Sequence, residues 1–154
     1  MIDAISLKIL KILQKKARIP NVEVARQVGM APSAVLERIR KLEKQGFIDG
    51  YEVRLNPKRF AKSLVAFVRV NIKKPGDEKK IGAKLARIAA VQEVHYVAGE
   101  DAFLVKVRAA DTEDLGRLTR DKIGAIASVR STQTAIVLST YKETARIPIE
   151  IVSA

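Results

Sequence analysis

Apolar residues recur at helical spacing through the first 45 positions and at strand spacing over much of the remaining chain. Ile5, Ile9, Ile12 and Leu13 lie three to four residues apart with lysines between them, predicting an amphipathic helix over residues 3–16 with Asp3 as its N-cap. Pro20-Asn21 restarts the chain, because proline disfavours helix at Ile19 and Asn21 is expected to cap the next helix. That short second helix, with Val24 and Val28 on one face, ends at Gly29, a residue that takes a left-handed backbone at little cost. Pro32 suits the first turn of a third helix, where its missing N–H removes no bond. The third helix is predicted to run to Gln45, burying Val35, Ile39 and Leu42, with Gly46 stopping it. Phe47–Val53 then reads as a turn with a strand, a candidate wing.

Beyond Asn56-Pro57 and the basic connector Lys58–Lys62 the period changes. Leu64–Ile72 is a Val- and Phe-rich strand, Pro75-Gly76 a loop, and Asp77–Ile88 a helix with Ile81, Leu85 and Ile88 on one stripe. Val94–Ala98 and Phe103–Ala109 are strands joined across Gly99-Glu100-Asp101. Thr112–Ile126 is a second helix, capped by Thr112 or Asp111, Ser131–Thr140 a further strand, and Ile147–Val152 is expected to add a fifth. The expected class is α+β, a winged helix-turn-helix followed by a ferredoxin-like βαββαβ domain. The expected boundaries are 1–57 for the first domain, 58–63 for a linker and 64–154 for the second.

Composition narrows the setting. With 47% hydrophobic and 30% charged residues, the 154-residue chain can bury a core. It has no cysteine, which excludes disulfides and thiolate metal sites, and Asp3 interrupts any secretory signal, so a cytoplasmic protein is expected. Apolar runs such as Leu64–Val68 are far short of the roughly 18 residues a membrane span needs. The net charge of +12 is uneven: residues 1–62 hold 14 Lys/Arg against 6 Asp/Glu, and residues 63–154 hold 15 against 11. The shorter part thus carries +8 of the excess, and a polyanion is the implied partner.

Three short helices with a glycine before a basic third one point to helix-turn-helix binding of double-stranded DNA. With Val35, Ile39 and Leu42 turned inward, Ser33, Ala34, Glu37, Arg38, Lys41 and Lys44 are assigned to the outer face. The small residues allow close approach to base edges, and Arg38 has the reach for the two acceptors of guanine. Arg40 is set towards the flank and phosphate, and the helix starts near Asn21 and Pro32 offer free N–H groups to phosphate oxygens.

These residues resemble the Lrp/AsnC (leucine-responsive, feast/famine) family of transcription regulators. The likeness is carried by Asp3-Ala-Ile-Ser-Leu-Lys-Ile-Leu, Leu13-Gln14, Ala17-Arg18, Asn21-Val-Glu-Val-Ala, Val28-Gly29-Met30 and the run Leu36 to Ile48. It extends through Gly50-Tyr51, Leu55-Asn56-Pro57, Val97-Ala-Gly99, Phe103-Leu104, and Thr132-Gln-Thr134-Ala-Ile-Val-Leu with Lys142. The resemblance implies a homodimer assembled further into tetramer to octamer, and an amino-acid effector held between C-terminal domains. It places that effector near Gly99, Glu100, Asp101, Ala102, Thr132 and Thr134. Three positions depart from the family pattern. Ala31 replaces a serine before Pro32, Ala102 stands where the Gly-x-x-Asp turn has its aspartate, and Ser128-Val129 replaces Gly-Val. The second and third weaken the expectation of ordinary amino-acid sensing.

Two rival readings arise from the same residues. Relatives similar in fold decarboxylate a tetrapyrrole through histidine and arginine, but the single histidine, His95, sits in a predicted strand and reads as packing. There is no Gly-rich phosphate loop, no Ser/His/Asp spacing and no metal-ligand cluster, so neither cofactor nor metal is expected. The other rival is an architectural protein that wraps DNA with little sequence choice. The basic third helix tells against the enzyme, and the architectural reading overlaps with a multimeric regulator that bends and wraps DNA; a sequence-specific regulator is expected, and no enzymatic role.

Overall fold

The computed structural model describes residues 2–99 and 101–150. The chain forms two compact units, one from the described parts of Met1–Arg54 and Glu143–Ala154, the other spanning Leu55–Lys142.

The first unit is built on three helices, α1 (Ala4–Lys15), α2 (Asn21–Val28) and α3 (Pro32–Lys44). Asp3 caps α1 as expected, its carboxylate accepting the Ser6 N–H at 2.7 Å. Ile9, Leu13, Val24, Ala25, Val35, Ile39 and Leu42 form the core, the three α3 members falling where the apolar spacing put them. A buried Val, Leu or Ile of this kind is worth about 1.5–3 kcal/mol over an exposed one. Gly29 (φ 69°) closes α2 in the left-handed region, sparing the steric strain a Cβ would meet there.

Two local expectations fail here for backbone reasons. Asn21 does not cap α2. Pro20 is the N-cap, its carbonyl taking the N–H groups of Glu23 and Val24 at 2.9 and 3.2 Å, and Asn21 is the first helical residue. The wing strand is absent as well, since residues 47–56 contain no strand. After Gly46 (φ 73°), the N–H groups of Phe47 and Ile48 turn back to the Leu42 carbonyl at 2.9 and 3.4 Å, so they complete the helix end instead of starting a ladder. Tyr51 then donates its hydroxyl to Glu43 at 2.9 Å, while Val53 and Leu55 are left exposed.

The fifth strand is also not formed in residues 147–150, and Ile151 and Val152 lie outside the described residues. Ile147 is held in the first unit instead. Gln14 accepts the Ile147 N–H through Oε1 at 2.9 Å and donates Nε2–H to the Ile147 carbonyl at 3.0 Å, so one side-chain amide makes the two bonds a neighbouring strand would make. Arg146 adds a bond to the Lys15 carbonyl, an acceptor that the end of α1 leaves without a helical partner.

The second unit is an antiparallel sheet in the order β2-β3-β1-β4, from β1 (Leu64–Ile72), β2 (Val91–Val97), β3 (Ala102–Ala109) and β4 (Val129–Ile136). With α4 (Glu78–Ala86) and α5 (Thr112–Arg117) this is the ferredoxin-like arrangement anticipated from the βαββαβ order. Alternate residues Ala66, Val68, Val70 and Ile72 of β1 and Phe103, Val105, Val107 and Ala109 of β3 share a core with Ile81 and Leu85 of α4 and Leu115 of α5. The opposite face has no helix in this unit. It carries Lys106, which is nearly buried and donates to Glu93 at 3.1 Å. His95, expected to pack, is instead exposed beside the same Glu93 at 3.2 Å. Burial raises the Glu93 pKa, but the hydrogen bonds from His95 and Lys106 outweigh it and leave the carboxyl below its usual range.

The helix expected over Thr112–Ile126 is α-helical only to Arg117 and continues as a π-helical turn, Leu118–Ile123. Asp111 is its cap, accepting the Asp114 N–H at 2.8 Å. The Thr119 hydroxyl donates back into the preceding turn, 3.0 Å from the Leu115 carbonyl and 3.1 Å from that of Gly116. Gly124 closes the turn, because a Cβ there would sit 3.1 Å from the carbonyl oxygens of Thr119 and Arg120.

Gln14→Ala removes both bonds to Ile147. Hydrogen exchange should report a faster-exchanging Ile147 amide, with about 1 kcal/mol lost in denaturant melts. Unchanged protection at Ile147 would mean that the tail does not depend on the Gln14 amide.

Candidate nucleic-acid interface and effector region

The apolar face of α3 fixes what its other faces can do. Counting about 100° per residue from the centre of the Val35/Ile39/Leu42 stripe, Ser33, Glu37, Arg40, Lys41 and Lys44 lie more than about 125° away, and Arg38 only about 65°. The burial agrees: those five are exposed, whereas Ala34 and Arg38 are half-buried. The outer face therefore reads Ser33, Glu37, Arg40 and Lys44, with Lys41 and Ala34 to one side. Arg40 pairs with Glu37 at 2.9 Å on open surface, a weak tie that a phosphate or base edge can displace. Pro32 opens the helix, and Ala31, its N-cap, makes no side-chain bond, so the first-turn N–H groups of α3 have no side-chain cap from it. Asn21 sits half-buried in the first turn of α2.

Arg38 corrects the sequence reading. It does not project from the open face but reaches α1, donating to Asp3 at 2.5 Å and to the Ser6 hydroxyl at 3.1 Å. The Arg38 bond is the main reason the Asp3 carboxyl is held down to about 2, with the Ser6 N–H second. One carboxylate thus caps α1 and clamps α3. Sequence reasoning missed this tie because it counted Arg38 by charge; its rotational position beside the buried stripe was the available signal. Tyr51 makes a second anchor at the C-terminal end of α3, its phenol pushed up to about 12 by burial and then by Glu43.

The effector candidates are not brought together as a set. Gly99 (φ 100°) and Asp101 (φ 44°) form the β2–β3 turn, and Glu100 lies outside the described residues. Ala102 is fully buried at the start of β3, in register with Val97 and Asn71 on the helix-free face. Thr132 and Thr134 pair with Val70 and Val68, whose side chains enter the core, so both threonines point to the helix-covered side of edge strand β4. Asp101 accepts the Tyr96 hydroxyl at 3.2 Å, and Tyr96 packs on Phe103 with ring centroids 5.1 Å apart. The Asp101 carboxylate therefore lies with Phe103 on the threonine side, and Ala102 on the other. Among the described residues no group of His, Cys, Asp and Glu is arranged to hold a metal, and no helix is long and apolar enough to cross a membrane.

Residues 2–49 match the family model for winged helix-turn-helix DNA-binding, and residues 65–147 that of the Lrp/AsnC ligand binding domain. The leucine-responsive regulatory protein of Salmonella typhimurium is 35% identical over 151 residues, 97% of this chain and 92% of that protein. The structure of Escherichia coli AsnC superposes with a TM-score of 0.87 at 28% identity, covering 96% of this chain and 99% of that one. A Neisseria meningitidis transcriptional regulator in complex with L-Met gives 0.90 at 29%, covering 96% and 97%. The feast or famine regulatory protein of M. tuberculosis complexed with L-methionine gives 0.89 at 32%, covering 97% and 100%.

The Asp3 clamp has a signed pH signature. Its folded pKa lies below the ordinary 3.8, so its stabilisation is complete above 3.8 and is lost as the pH falls towards about 2. Asp3→Asn should flatten the acid limb of the stability curve across that window in denaturant melts. Parallel limbs for variant and wild type would show that Asp3 holds no such role.

Proposed function

We propose, for a chain that belongs to the Lrp/AsnC family of transcription regulators, a division of labour on α3 that differs from simple charge counting. The protein is a DNA-binding transcription regulator, and our reading is that the stripe Ser33, Glu37, Arg40 and Lys44 meets the major groove of double-stranded DNA. The observation that carries this is the rotational phase of α3, which leaves those side chains diametrically clear of Val35, Ile39 and Leu42. Arg40 is the candidate base reader and Lys41 and Lys44 the phosphate contacts. The helix starts at Asn21 and Pro32 supply N–H groups to the backbone, and small Ser33 and Ala34 permit close approach. Arg38 acts indirectly, by fixing α3 on α1.

A homodimer, extended to tetramer or octamer, fits a sheet whose helix-free face carries half-buried Phe67 and Leu104 beside the Lys106–Glu93 pair. Two copies would set two recognition helices on successive major grooves. For the effector, we take an amino acid as the ligand class, since two structural relatives were solved with methionine. Ala102 withholds a carboxylate from the helix-free face, and that favours weak or altered binding near Gly99, Glu100, Asp101, Thr132 and Thr134. A ligand regulates only if it binds one assembly better than another.

Arg40→Ala with Lys44→Ala should weaken operator binding by about 1–3 kcal/mol for a lost base contact and lower the salt slope by about 0.9 per phosphate released. A folded double variant with wild-type affinity in gel-shift titrations refutes the assignment of the stripe. For the effector, calorimetry with the twenty amino acids should find only weak heats for the wild type. Tight methionine binding by the wild type would show that the alanine is immaterial.

A further inference from the structure

The second unit carries a positive surface that the helix-turn-helix reading leaves unused. Residues 63–154 have a net charge of +4, and the fifteen residues 73–87 alone hold six Lys/Arg against two Asp/Glu, also +4. The second unit as a whole, Leu55–Lys142, holds 17 Lys/Arg against 9 Asp/Glu, so half of its excess sits on α4 and the segments beside it. Lys73, Lys74, Lys79, Lys80, Lys84 and Arg87 are all exposed. Several surface cations elsewhere have acidic partners, as in Arg26–Glu23, Arg117–Glu113, Arg120–Asp121 and Lys62–Asp114. The two acids within 73–87 are turned away from the cations around them: Asp77 accepts the Ser128 hydroxyl at 2.8 Å, and Glu78 accepts the Gly76 N–H at 2.8 Å.

Helix stability accounts for only part of this arrangement, since Lys84 in the last turn of α4 and Arg87 at its C-cap suit the helix dipole. Lys79 and Lys80 lie in the first turn of α4, where the helix dipole disfavours positive charge. Lys80 and Lys84 are four residues apart and Lys84 and Arg87 three, so each pair repels along one stripe. That stripe flanks the buried Ile81/Leu85 face, whose burial holds it towards solvent on a rigid element. A segment that bears repulsion in the free protein gains most from a dense line of negative charge, which is what a duplex presents, one charge per roughly 1.7 Å of axis.

We infer that Lys80 and Lys84 of α4 and Arg87 at its C-cap, supported by Lys73, Lys74 and Lys79, form a second, sequence-independent site for the phosphate backbone of double-stranded DNA. The inference rests on the DNA-binding reading of the first unit. Because the two units are covalently joined, DNA held by α3 is presented to α4 at high effective concentration, and modest affinity there suffices. Such a site lengthens the footprint and adds no sequence preference.

The test compares wild type, Lys80→Gln/Lys84→Gln/Arg87→Gln and Arg40→Gln/Lys44→Gln, each as the full chain with folding checked by circular dichroism. Each is titrated against random-sequence duplexes of about 20 and about 80 base pairs over a range of salt. The α4 variant should lose about two to three in the slope of log affinity against log salt on the long duplex, at about 0.9 per phosphate contact. The α3 variant should lose affinity on both duplexes. An α4 variant that matches wild type in slope and affinity on both duplexes overturns the inference while leaving the α3 reading intact. A wild type with no duplex affinity at all overturns both. Binding of single-stranded RNA in preference to duplex, lost with the same three residues, overturns the assignment to duplex DNA.

Discussion

Among the described residues, seven buried side chains make up the core of the first unit, and the three from α3 also set the rotation of that helix about its own axis. Every other property of the outer face is subordinate to this. Once Val35, Ile39 and Leu42 are seated on Ile9, Leu13 and Val24, the rise and twist of the helix decide which charged residues reach solvent and which meet α1. A core so small leaves little redundancy, since losing one of these side chains to alanine costs about 2–5 kcal/mol. Polar ties at its edges, Asp3 with Arg38 and Glu43 with Tyr51, brace the same helix at its middle and at its C-terminal end.

The second unit obeys a different rule, in which the sheet register decides. Paired residues of adjacent strands share a face, so the ladder puts Thr132 with Val70 and Phe103, and Ala102 with Asn71 and Val97. Residues grouped by expectation around one ligand are thereby separated by the thickness of the sheet. One face packs on helices and is strictly apolar at its centre. The other mixes Phe67 and Leu104 with the Lys106–Glu93–His95 group, a surface in which polar groups find partners within the sheet itself.

Much of this was legible in the residues. Asp3 before an apolar helix, Gly29 and Gly46 at helix ends, and the β-branched run of Leu64–Ile72 each specify their local structure, and β1 occupies the expected range. The reading failed where backbone groups had a nearer partner than the one assumed. Pro20 supplied a carbonyl before Asn21 supplied an amide, and Leu42 took the N–H groups of Phe47 and Ile48 before a wing could. A Gln14 side chain occupied the backbone of Ile147 in place of a sheet edge. The π-helical turn did leave a trace, because the buried residues Leu118 and Ile123 are five apart, one more than an α-helix accommodates on a single face. Of the recognition helix, the apolar stripe and the basic character were readable. The position of Arg38 beside that stripe was readable too, but its partner was not, since that is a carboxylate thirty-five positions away.

The docking of Ile147 on Gln14 has a consequence for how the protein is made. The two residues are 133 positions apart, while the helices that build the first core are neighbours in sequence and need only short loops to close. During synthesis, therefore, the three-helix core can assemble while the sheet is still inside the ribosome, but its last contacts wait until residue 147 has emerged. A nascent chain would display a recognition helix before its supporting tail exists. The finished DNA-binding unit is thus a marker of completed translation through the second domain, and a chain cut short within that domain would carry the fold of the first unit without its final fastening.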